Sequence, residues 1–136
     1  MESSLSFDQA RTAALNEVHA AVAAVFPAGY KLADDFVPQL PCTDVSDRPT
    51  GQVHASVSFW VDSIDRTRNN AYFDALARWW TDNGWKLEVD DRPKDLFMNA
   101  RRDDYLMGMQ ATPEGRLNIG VDSPCAWPDG TPESKS

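Results

Sequence analysis

An α+β fold is what this sequence predicts: a two-layer sandwich with two helices packed on one face of a mostly antiparallel sheet of about five strands. Three observations point there. Two segments carry apolar residues at helical spacing. A strongly alternating segment lies between them. Four short alternating segments then follow the second helix, separated by turn residues, giving the order α-β-α-β-β-β-β.

The first helix is expected over residues 7–26. Ser6-Phe7-Asp8-Gln9 matches a capping box, with Ser6 as N-cap and Gln9 reaching back. Leu15, Val18, Val22, Val25 and Phe26 then recur on one face, and Pro27 with Gly29 ends the run. Residues 27–50 hold four prolines and no clean period, so they read as one long connection that Tyr30, Leu32, Phe36, Val37 and Leu40 can pack onto the body. Val53, Ala55, Val57, Phe59 and Val61 alternate with polar residues and predict a half-buried strand. In AYFDALARWWTDNG, Tyr72, Leu76, Trp79 and Trp80 share a helical face. Asp74 and Arg78 are spaced as an i,i+4 pair, and Asn83-Gly84 stops the helix.

Four strands complete the chain. Their inward sets are Trp85, Leu87 and Val89; Leu96, Met98 and Ala100; Tyr105, Met107, Met109 and Ala111; and Leu117, Ile119 and Val121. Arg102-Asp103-Asp104 and Thr112-Pro113-Glu114-Gly115 supply turns. The expected division is a disordered N-terminus over 1–5, a single domain over 6–128 and a mobile tail over 129–136.

Composition excludes some partners. The chain has 136 residues and a formal net charge of −8. An acidic surface disfavours a nucleic-acid backbone or an anionic membrane as the main partner, since both require clustered positive charge. No apolar run approaches the ~20 residues of a spanning helix. MESSLSFDQ has neither the basic nor the apolar region of a signal peptide. The chain is therefore either cytosolic or begins after a removed signal or lipid anchor.

No Gly-rich phosphate loop, nucleophile elbow or His-rich metal motif is present, so neither catalytic residues nor a cofactor or metal is assigned. The acidic runs Asp90-Asp91 with Asp95, and Asp103-Asp104, match no calcium loop and read as solvated turns. Cys42 and Cys125 are the two cysteines, and no two Cys or His residues lie within five residues of each other, as zinc sites usually require. Both fall in proline-punctuated segments and read best as one disulfide, in competition with a thiolate paired to His54. A disulfide implies an oxidising compartment.

The strands' second face gathers a different set of side chains. His54, Ser58, Trp60, Phe97, Asn99, Arg101, Gln110, Arg116 and Asn118 fall there, with Leu106, and Gly108 and Gly120 leave room among them. Aromatics beside arginines and amides are what recognition surfaces use. This face is the candidate binding surface.

Pro41-Cys42, the Trp-rich AYFDALARWWTDNGW and the terminal SPCAWPDGTP together resemble small envelope proteins of actinobacteria, many of them predicted lipoproteins of unknown function. The resemblance spans roughly residues 41–132. It implies export, an N-terminal lipid anchor on the full-length protein and a Cys42–Cys125 bridge. It brings no catalytic residues, and the lipid-bearing cysteine of such proteins is absent from this sequence. The expected function is a non-enzymatic extracytoplasmic binding domain whose partner is an unidentified envelope component or protein. The alternatives are a cytosolic acidic inhibitor or immunity-type protein that meets a basic enzyme through its acidic loops, and an enzyme of unknown class.

Overall fold

The computed structural model describes residues 6–34, 39–43, 46 and 48–127. The expected disordered N-terminus over 1–5 and mobile tail over 129–136 lie outside these, as do Phe36 and Val37. Over these residues the chain is α+β, with two helices and a seven-stranded antiparallel sheet. Its elements are α1 (Phe7–Val25), β1 (Lys31–Asp34), β2 (Gln39–Thr43), β3 (Pro49–Asp62), a 3-10 turn (Arg66–Arg68), α2 (Asn69–Asp82), β4 (Lys86–Asp90), β5 (Phe97–Arg102), β6 (Tyr105–Ala111) and β7 (Leu117–Asp122). The spatial order is β1-β3-β7-β6-β5-β4, and β2 also pairs with β3. Among the described residues, no helix is long and apolar enough to cross a membrane.

Two expectations change here. The sheet has seven strands rather than about five, and the order is α-β-β-β-α-β-β-β-β. Both extra strands come from the segment read as a long loop over 27–50. Both are short, β2 carries Pro41, and each pairs with only part of β3. Proline suits such an outer strand because it has no N–H to donate. β3 itself runs for 14 residues, long enough for β1 to pair with its end and β2 with its beginning.

The helices form as their signals indicate. The Ser6 hydroxyl accepts from Gln9 N and the Gln9 side chain accepts from Ser6 N, so two otherwise orphaned helix-start donors are satisfied. Ala14, Val18, Ala21 and Val22 of α1 and Tyr72, Phe73, Leu76 and Trp80 of α2 enter one core cluster. Alternate residues of four strands complete it: Val57, Phe59 and Val61; Met98 and Ala100; Met107 and Met109; and Leu117, Ile119 and Val121. Trp80 Nε1 is buried and donates to Met107 Sδ at 3.2 Å.

β4 departs from simple alternation. Leu87 lies opposite Ala100, whereas Val89 lies opposite Asn99, so an irregularity at Glu88 moves Val89 to the other face. Trp85 is buried as expected, while Leu87 and Val89 are exposed at the sheet edge. Asp74, expected to pair with Arg78, instead accepts from Arg92 at 2.7 Å.

Both hairpin turns follow their sequence. Asp103 and Asp104 take φ of 50° and 69°, the left-handed pair that closes a two-residue hairpin. Gly115, at φ 89°, donates to Thr112 O.

The segment after β7 is held at several points. Ser123 N donates to Ala55 O, and the Ser123 hydroxyl accepts from Ala55 N. Val53 and Ala126 exchange both backbone hydrogen bonds, and Phe7 N donates to Trp127 O. Because Val53 commits its N–H and C=O to Ala126, β2 must approach β3 from the opposite edge. The Cys42–Cys125 disulfide, with Cα atoms 6.2 Å apart, therefore crosses β3 and joins its two neighbours. Cys42 lies within β2 rather than in a loop.

Candidate binding groove and disulfide clasp

The sheet register builds a groove from residue size alone. One row across four strands reads Ser58, Gly120, Gly108, Asn99. The neighbouring row on one side reads Trp60, Asn118, Gln110, Phe97, and on the other Ser56, Asp122, Leu106, Arg101. Two glycines side by side make a low floor between taller rows. The resulting depression has a volume of about 270 Å³. Its lining includes Ser56, Ser58, Phe97, Asn99, Leu106, Gln110, Asn118 and Asp122.

The two glycines have different reasons to be there. A Cβ on Gly120 would stand 2.9 Å from Val57 O and 3.0 Å from Ser58 Cβ, so the packing of β7 on β3 excludes a side chain. A Cβ on Gly108 would meet Asn99 Cβ at an ordinary 3.6 Å. Packing therefore does not require glycine at 108, and its effect is to keep the floor low. Beside it, Asn99 Oδ1 is buried and has no hydrogen-bond partner. A buried polar atom left in this state costs free energy unless something else satisfies it.

Of the residues placed on this face from sequence, Phe97, Asn99, Gln110 and Asn118 line the groove. Ser58, Leu106, Gly108 and Gly120 line it too, whereas His54, Trp60, Arg101 and Arg116 lie outside it. Arg116 makes a two-point ion pair with Asp62 at 2.9 and 3.0 Å, and its guanidinium lies 4.5 Å from the Trp60 ring centroid. That hydrogen bond, with the Arg116 charge, holds the Asp62 carboxyl below the usual aspartate value. Arg101 pairs with Glu88 at 3.3 Å. No lysine or arginine is among the described residues lining the groove, whereas Asp122 is. The chain matches no family model, no curated protein and no solved structure.

His54 lies at the clasp, with its Nδ1 3.6 Å from Cys42 Sγ. Sequence spacing conceals this meeting, because residues 42, 54 and 125 come together only through β2 and the post-β7 segment pairing with opposite edges of β3. Ser56 falls on this face by the same alternation that places His54, Ser58 and Trp60 there, whereas Asp122 and the unpartnered state of Asn99 Oδ1 lie beyond sequence reasoning. Sequence already places Gly108 and Gly120 on this face; what only the register shows is that they lie directly opposite each other across β6 and β7.

Of the acidic runs, the 90–95 loop is partly neutralised internally. Arg92 donates to both carboxylate oxygens of Asp90, which lowers the Asp90 pKa chiefly through that hydrogen bond.

Proposed function

We propose that this chain is a non-enzymatic extracytoplasmic binding domain of the cell envelope. Its working surface is the groove over Gly108 and Gly120. In this reading the molecule is a two-layer sandwich, its helices covering one face and leaving the other for recognition. The observation that carries the reading is Asn99 Oδ1, a buried acceptor without a partner beside a glycine whose packing does not demand glycine.

The lining sets the ligand's chemistry. Hydroxyls, amides and one carboxylate hydrogen-bond to neutral polar groups, and Phe97 and Leu106 offer apolar contact. An anion would find no cation in the groove and would meet Asp122. The ligand is therefore an uncharged, hydroxyl-bearing molecule of about one sugar ring. The disulfide supports the location, because such bonds persist in oxidising compartments. The alternative of an acidic inhibitor is weakened at Asp90, whose charge Arg92 already engages.

The test is a titration of isotope-labelled protein with N-acetylglucosamine, glucose and maltotriose, following backbone amide resonances. Shifts confined to Asn99, Gly108, Gly120 and their neighbours are expected. Gly108→Val, which fills the floor without touching the β3 backbone, should abolish them while the remaining spectrum stays native. Absence of saturable shifts with all three saccharides, or equal shifts in the filled variant, defeats the proposal.

A further inference from the structure

His54 and the two half-cystines meet where β3 passes beneath the clasp. Their ligand atoms, one imidazole nitrogen and two sulfurs, all lie within 4.8 Å of one another. A tetrahedral zinc ion bound by thiolate at about 2.3 Å and by imidazole at about 2.0–2.1 Å holds sulfur and nitrogen about 3.6 Å apart. The 3.6 Å between Cys42 Sγ and His54 Nδ1 already has that length. The His54–Cys125 edge lies within 4.8 Å, and the sulfur–sulfur edge, which a covalent bond closes, opens to about 3.8 Å around zinc.

We propose that, once the disulfide is reduced, Cys42, Cys125 and His54 form a three-ligand site for a zinc-class divalent cation. A dithiol reductant transfers two electrons and two protons to the Cys42–Cys125 bond, becomes a disulfide itself and leaves two thiols. The cation then displaces one proton from each thiol and takes the lone pair of a neutral imidazole. Two thiolates and an imidazole form a borderline-soft donor set, which selects zinc over calcium or magnesium. Three protein ligands leave the fourth tetrahedral position to water. Access is from the Cys125 side, since Cys42 is buried, His54 half-buried and Cys125 exposed.

The backbone keeps the ligands together after the sulfurs part. Pro41 and Ala126 both partner Val53, and Cys42 and Cys125 are their immediate neighbours in sequence. His54 follows Val53 on the strand between them. The inference does not depend on the groove.

The test uses the full chain, oxidised or fully reduced, under exclusion of air. Cobalt(II) added to the reduced chain should give, at one equivalent, thiolate-to-cobalt charge-transfer absorption and tetrahedral d–d bands that zinc abolishes. Zinc should raise the Tm of the reduced chain and leave the oxidised chain unchanged. His54→Ala should weaken cobalt binding by more than about tenfold, the least that loss even of an outer partner of a metal ligand costs. Missing charge-transfer bands, or undiminished affinity in His54→Ala, overturns the proposal. If reduction abolishes the near-UV circular dichroism, zinc must restore it, because binding and folding are then one equilibrium. No recovery overturns it equally.

Discussion

Gly108 and Gly120 face each other across β6 and β7, yet a methyl group would have opposite meanings at the two positions. At Gly120 it would strike the Val57 carbonyl, and β3 and β7 would have to separate. Gly120→Ala should therefore destabilise by about 1–3 kcal/mol, the usual cost of overpacking. Gly108→Ala meets only ordinary contact and should stay within about 0.5 kcal/mol, like substitutions away from packed features. Urea denaturation of both variants checks this, and equal losses would show that the two sites are not distinguished by the Val57 carbonyl. Neither difference is legible from sequence, where both glycines merely occupy alternate positions in apolar strands.

At the scale of elements, periodicity located α1, β3, α2 and β4 to β7, because each carries either a long repeat or a strong turn signal. It missed β1 and β2. Leu32 and Leu40 lie in runs of four and five residues interrupted by charge or by Pro41, too short for a period to register. Their partner supplies what they lack, since β3 is long enough to template both. It also misassigned Val89, because an irregularity in one strand reverses faces without altering composition. The candidate face was legible as a set of residue types. Its division into a groove and ion-paired flanks was not, because partners such as Asp62 and Glu88 belong to other strands.

One of those flanks makes a pH prediction. Asp62 at the end of β3 holds Arg116 just before β7, and its pKa is depressed in the folded chain. A depressed carboxylate stabilises the fold above its unfolded pKa and loses that contribution as pH falls through the folded one. Stability should therefore decline below about pH 4, near the ordinary aspartate value. Asp62→Asn should flatten this decline and lower stability at neutral pH. Denaturation midpoints between pH 2.5 and 7 in both proteins decide it, and parallel curves would exclude the pair as a contributor.

For the whole molecule, the disulfide joins residues 83 apart in sequence. Closing a loop of that size restricts the unfolded chain by about 4–5 kcal/mol in the chain-entropy account. The ring contains β3, α2 and β4 to β7, and α1 and β1 lie outside it. The ring has a consequence for proteolysis. A single protease cut between Thr43 and Pro124 leaves both pieces on one covalent body, which migrates as one species until thiol is added. A single cut between α1 and β2 instead releases a peptide held only by packing and hydrogen bonds. Limited digestion, read on paired gels with and without reductant, should sort every early cleavage into these two classes. A ring-interior nick that separates without reductant would mean the clasp is open in solution.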